Sequence, residues 1–463
     1  MRNVVCLLLL GVPSANVSAC DSGVEPPLAT PEVGFESAAL KDPVVPSKEL
    51  FVTALNVVDD TKYVNYKAGK WNTDRDGGWS FGRLIDNMSS VEKPSDTARS
   101  AFVMNWLRTW ESPQTVNSQT QAARPAVRTV VIDPWKQRSI GKRPGNTATT
   151  CAPGGTTDFQ CKLSFARADV PFELMAIVNR PDLRVVPTST DGTTGSAAQG
   201  RFIFVLVDGD KNPLPFTVIF EYMVPISGSS DITAYAKDWH ELGRKQFDSG
   251  FNEDLHELTL SFTKWNVAPW RNNGSALLQI RTNDVMLAEP GSDPSHPFGV
   301  MWELREFVIG DNGQLTPDTV KMEPSIALSG SALLAEWANA NAAAILTGVF
   351  EVPATYQGQS ILAGSSFAPF GFVWDLPGVP ENVRDSFALN TCNGCHVNET
   401  GTGFLHTFQF TKGAEATLSP FLVSQLAANG PRVADFTSVL EPTVVKDGKG
   451  RDKGHKPGDG RGH

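Results

Sequence analysis

The sequence predicts an α+β fold: a large β-rich N-terminal body with several helices, followed by a small, mainly helical C-terminal unit. Three observations carry this expectation. Runs of β-branched and aromatic residues in the middle of the chain are separated by turn signals. Apolar residues recur at helical spacing in other segments, most clearly over residues 98–110 and in the Ala-rich stretch 333–346. Strands and helices do not alternate regularly, which disfavours a doubly wound parallel sheet.

The N-terminus is expected to direct export. Met1-Arg2-Asn3 is a short positive region, and residues 4–12, dominated by Leu7, Leu8, Leu9 and Leu10, are apolar. That run is too short to span a bilayer and has the length of a signal peptide. It ends at Val17-Ser18-Ala19-Cys20, which resembles a bacterial lipobox. The resemblance implies cleavage after residue 19 and lipid attachment at Cys20; an ordinary secretory signal with a chance Cys is the plainer alternative. Residues 20–48, with Pro26, Pro27, Pro31, Pro43 and Pro46, read as a tether. No later segment approaches the length of a membrane span, so membrane contact is expected through the N-terminal lipid only. The chain would then be a periplasmic or cell-surface lipoprotein.

Residues 49–348 form the expected body. Trp79 to Ile85 begins a helix, and Phe102, Trp106, Leu107 and Trp110 mark a second one that ends before Pro113. Residues 127–132 read as a strand, and residues 137–160 as a long polar loop. Residues 172–178, 201–207 and 216–222 read as strands, with 187–200, rich in Thr, Ser and Gly, as a mobile loop between the first two. Helices follow over 232–247 and 252–262, then strands over 277–281 and 301–309. Residues 349–380, rich in Gly and Pro, read as a connector. Residues 381–445 hold two helices, 381–390 and 418–428. The tail 446–463 has no apolar residue and reads as disordered.

Composition narrows the function. A hydrophobic content of 41% with 11 Trp supports a sizeable core in a chain of 463 residues. A formal net charge of −10 argues against nucleic-acid binding, which needs a basic face. Cys6 leaves with the signal and Cys20 is the lipid site. Cys151 and Cys161 flank a turn-rich loop, and in an oxidising compartment they are expected to form a disulfide worth somewhat under ~3 kcal/mol.

The remaining pair belongs to Cys392-Asn393-Gly394-Cys395-His396. C-x-x-C-H is the attachment pattern for c-type haem: two thiols on one helical turn reach the two vinyl groups, and the following His binds the iron. The segment Phe387-Ala388-Leu389-Asn390-Thr391 leading into it resembles the N-terminal helix of small c-type cytochromes. The resemblance covers about residues 381–435. It implies one covalent haem c, thioethers at Cys392 and Cys395, His396 as proximal ligand, and single-electron transfer to a redox protein partner. The last Met is Met322, so a downstream Met ligand is absent, and His406, ten residues after His396, is the best candidate for the sixth position. Filled positions would favour electron transfer; an open one would suit a peroxidase-like haem enzyme. Other readings of the Cys pair are a structural disulfide, a zinc site using Cys392, Cys395 and His406, and a redox dithiol. The first two would leave a non-redox lipoprotein with an adhesive or scaffolding body.

Other candidates have plainer explanations. His240 and His256 lie in helical segments where packing or solvent exposure is the ordinary state. Asn179-Arg180-Pro181-Asp182 has the composition of a turn. Glu303, Arg305 and Glu306 are expected to make surface pairs. The Trp residues are more consistent with core packing than with a carbohydrate platform. No P-loop, dinucleotide fingerprint, G-x-S-x-G or H-E-x-x-H is present.

Overall fold

The computed structural model describes residues 42–59, 66–67, 70–71, 77–187, 195–287 and 301–441. The expected export signal, Cys20, residues 20–41 of the expected tether and the tail 446–463 lie outside the described residues. Among the described residues no helix is long and apolar enough to cross a membrane.

The architecture is α+β. One eight-stranded antiparallel sheet is built from β1 (Phe51–Val52), β2 (Phe172–Arg180), β3 (Gly195–Val207), β4 (Pro213–Ile226), β5 (Leu277–Asp284), β6 (Met301–Ile309), β7 (Leu315–Asp318) and β8 (Ser366–Pro369). The first seven neighbour one another in chain order, and β8, from the segment expected to be a connector, pairs with the first half of β6. Period-two alternation sends Ile177, Phe202, Phe204, Phe220, Ile280 and Phe307 to one face. The helices α1 (Phe81–Asn87), α2 (Asp96–Arg108), α3 (Asp133–Arg138), α4 (Ser230–Gly243) and α5 (Ser249–Thr263) contribute to the core on that face. Trp106, Trp110, Trp135 and Trp239 are fully buried in it, in keeping with a packing role.

Two segments depart from expectation. Residues 127–132 are not a strand but a turn of π-helix, with the Asp133 amide donating to the Arg128 carbonyl, leading into α3. Val127 and Val131 are buried at i and i+4, a helical spacing, and Arg128 pairs with both Glu111 and Asp158 at 2.7 and 2.6 Å. Of the expected loop 187–200, residues 195–200 belong to β3, and 188–194 lie outside the described residues. The small residues there serve packing: a Cβ on Gly200 would sit 2.4 Å from the Phe262 ring of α5. Composition that resembles a loop here is a strand pressed against a helix. Cys151 and Cys161 are joined by a disulfide.

The end of the expected tether packs on the body. Arg244 pairs with Asp42 at 2.8 Å, and buried Glu49 accepts a 2.8 Å contact from the His240 imidazole. His256 is also buried, its ring edge-on to Trp79.

The Ala-rich stretch is two helices, α6 (Ala332–Ala340) and α7 (Ala342–Leu346), broken where the Asn341 amide bonds back to the Trp337 carbonyl. The C-terminal segment contains α8 (Glu381–Asn390), α9 (Cys392–His396), a hairpin of β9 (Thr407–Phe408) and β10 (Thr417–Leu418), α10 (Pro420–Gln425) and α11 (Pro431–Leu440). Sequence reasoning did not find α11. Val433, Phe436, Val439 and Leu440 of this helix join the main core beside the sheet's first face.

Candidate functional site

The second face of the sheet is also covered. Phe408, Leu418 and Leu422 pack on Val178, Ile203 and Val205, while Val397 and Phe404 pack on Trp302 and Leu304. Helix α9 and the hairpin therefore lie directly over this face.

Thr391 caps α9, accepting from the Gly394 amide at 3.2 Å, and is itself held by the Trp374 indole at 2.8 Å. Glycine is required at 394, because a Cβ there would lie 2.1 Å from the Ala388 carbonyl oxygen. The turn carries Cys392, Cys395 and His396, each half-buried, and the two thiols are not bonded to each other. Burial pushes the Cys395 thiol up to about 11 and the Cys392 thiol higher still, with the Glu323 carboxyl adding to the latter. Both sulfurs are therefore thiols at neutral pH. That weighs against a redox dithiol, which uses thiolate.

The His396 ring lies flat on Trp302, with centroids 4.6 Å apart. Its Nδ1 is 2.7 Å from the Phe404 carbonyl oxygen, so Nδ1–H donates and Nε2 keeps its lone pair. The Phe404 amide donates back to the His396 carbonyl at 3.1 Å. Phe404 holds this pose with φ of 69°, a strained value for a bulky residue. Burial, reinforced by Arg281 and Arg201, pushes His396 down to about 4, which keeps the imidazole neutral. His406 is brought alongside, its ring 4.4 Å from that of His396. The Ser419 hydroxyl meets its Nδ1 at 2.8 Å and Cys395 Sγ meets its Nε2 at 3.4 Å. His406 too is held well below its usual range, first by burial and then by His396 and Arg432.

Opposite the motif runs a row of charges that the sequence reading missed. Arg201 on β3 faces Glu221 on β4, which faces Gln279 on β5, and Arg281 on β5 faces Glu306 on β6. The contacts are Arg201–Glu221 at 3.1 Å, Gln279–Glu221 at 2.6 Å and Arg281–Glu306 at 3.0 Å. Arg180, expected only to stabilise a turn, grips Asp182 at 2.6 Å and also lines the site. Glu303, Arg305 and Glu306 are not surface residues: all three are buried. Glu303 and Arg305 point to the first face, where Arg305 lies 4.3 Å over the Trp110 ring. The error arose because both faces of the sheet are covered, so period two does not separate buried from exposed. The signal available was a lone charge inside each apolar run: Arg201, Glu221 and Arg281.

Between motif and sheet lies a cavity of about 90 Å³ lined by His396, His406, Arg180, Arg201, Arg432 and Asn283, among others. The donor set suits a haem: two unpaired thiols on one turn, an anchored neutral imidazole, a second imidazole and nearby guanidiniums. The contact between the imidazoles leaves no space for a macrocycle between them, so a haem bound there would need the two rings to separate. Among the described residues no three His, Cys, Asp or Glu side chains are arranged to hold a bare metal ion. Haem iron differs in that the porphyrin supplies four of its ligands.

Beneath α9, Glu323 accepts from the Asn393 amide at 3.1 Å, and burial pushes its carboxyl up to about 8. A raised carboxyl means that the folded state holds the proton more tightly than the unfolded chain. Its contribution is complete below the unfolded value near 4.5 and is lost as pH rises towards 8, at about 1.4 kcal/mol per unit. Glu323→Gln should therefore be less sensitive than the parent between pH 5 and 8 and more stable at pH 8, as read from urea midpoints. Parallel pH profiles for the two chains would contradict this.

No protein-family model, curated protein or solved structure matches this chain.

Proposed function

We propose that this chain is an exported lipoprotein, anchored through Cys20, that carries one covalent c-type haem and transfers single electrons. Cys392 and Cys395 form the thioethers and His396 is the proximal ligand. The observation that carries the reading is the state of His396: a neutral imidazole, its Nδ1–H bound to the Phe404 carbonyl, directly after two unpaired thiols on one helical turn. When bound, the haem supplies the redox couple. The chain's residues orient it, exclude water and set its surroundings. Trp302 fixes the proximal ring by stacking, and Leu405 and Leu422 give the cavity an apolar wall opposite its guanidiniums.

His406 is the proposed sixth ligand. Its Nε2 now meets the Cys395 thiol. A thioether at Cys395 would no longer carry the S–H of that contact, and Nε2 would be available to the iron. His406→Ala in the loaded protein should change a low-spin absorption spectrum to a high-spin one; an unchanged spectrum would remove His406 from the role.

The test of the whole reading is expression of the mature chain with cytochrome c maturation machinery. It should give a band that stains for haem on a denaturing gel and a pyridine haemochrome spectrum of thioether-linked haem. No covalent haem, in a host where a control cytochrome matures, would refute it.

A further inference from the structure

The charges lining the site do not cancel. Four guanidiniums, Arg180, Arg201, Arg281 and Arg432, meet three carboxylates, Asp182, Glu221 and Glu306. Arg180, Arg201 and Arg281 each have an ion-pair partner within 4 Å. Arg432 forms no ion pair or hydrogen bond among the described residues, although it lines the cavity. Burial and the positive charge of Arg180 push it down to about 9. Arg432 also stands in the first turn of α11, a ten-residue helix whose N-terminus, at Gly430, has no side-chain cap. Arg432 is half-buried and its donors are free, and a helix N-terminus next to it favours an anion. The carboxylate that reaches Arg432 electrostatically is Asp182, which is already gripped by Arg180 at 2.6 Å.

We infer that Arg432, with Arg201 and Arg180, is a carboxylate-binding site on the sheet side of the cavity, and that the carboxylates it takes are the propionates of the haem. The source of the carboxylate rests on the function proposed above; the shared chemistry, an organic acid at these guanidiniums, does not. Guanidinium is suited to bidentate binding of carboxylate. The site also gives the body a role. The motif supplies the covalent and iron contacts from one side, and the sheet supplies the anion contacts from the other.

The test uses the mature chain with Cys392→Ala and Cys395→Ala, so that nothing attaches, titrated with iron-free protoporphyrin IX and followed by quenching of tryptophan fluorescence. Without iron, His ligation makes no contribution. The free acid should bind, and its dimethyl ester should bind at least about tenfold more weakly, as should the acid to the R432Q form. R432K should fall between. R432Q loses no ion pair and should unfold at a temperature no lower than its parent in the absence of ligand. Equal binding of acid and ester overturns the inference, and this comparison decides alone should R432Q not fold. Succinate provides the second arm. If the unaltered chain takes no covalent haem, yet succinate raises its unfolding temperature and R432Q abolishes the effect, the carboxylate site stands with a free acid as ligand, and the haem reading fails. If covalent haem forms but neither esterification nor R432Q matters, the haem reading stands and the carboxylate site fails.

Discussion

Glu221→Ala should cost about 3–5 kcal/mol of stability, because it removes a fully buried carboxylate between two half-buried guanidiniums. Glu221 has no exposed surface. Burial alone would raise its carboxyl, but Arg201 and Arg281 hold it below the usual range. Without it Arg201 retains only the Gln199 oxygen, and Arg281 retains Glu306. The sign with pH is fixed. A depressed carboxyl stabilises fully above its unfolded value, near 4.5, and the contribution is lost as pH falls through the folded one. Urea denaturation at pH 7 and pH 3.5 should show a large gap between parent and variant at the first and a smaller one at the second. A loss under about 1 kcal/mol at pH 7 would mean that the row of charges is not coupled as its geometry indicates.

Gly394→Ala should abolish covalent haem attachment while leaving the body folded. The added methyl meets the backbone of Ala388, not a side chain that can rotate away. Relief requires α9 to separate from α8, a local penalty of about 1–3 kcal/mol. That displacement would break the Thr391 cap and shift both thiols and His396 together. Tryptophan fluorescence should keep a native-like spectrum, since most of the core tryptophans lie on the other face of the sheet, whereas haem staining should disappear. Asn398→Ala, at an exposed residue just past the motif, should stain normally.

The strands were legible because apolar runs with turn signals are a local property: residues 172–178, 216–222 and 301–309 all lie within strands of the sheet. The motif was legible for the same reason, and so was its neighbour His406. What the chain did not disclose was tertiary. Arg201, Glu221 and Arg281 acquire meaning only from the register that aligns them across three strands. Arg180 and Asp182 satisfied a local explanation, a turn, that was sufficient but incomplete. Residues 127–132 show the limit of propensity, because β-branched residues there close a helical turn once Arg128 finds Glu111 and Asp158. Helix α11, ten residues long like α8, was missed although Pro431 at its first position is a helix-start signal.

The position of α11 has a consequence for the order of assembly. Val433, Phe436, Val439 and Leu440 complete a core whose other members begin at Leu50. A chain emerging from its N-terminus first cannot close that core until nearly all of it has been delivered. Until then the turn at residues 392–396 has already emerged, while Arg432, which lines the cavity beside it, is not yet in place. Any enzyme that must reach those two sulfurs thus has an interval in which to act before the main core closes.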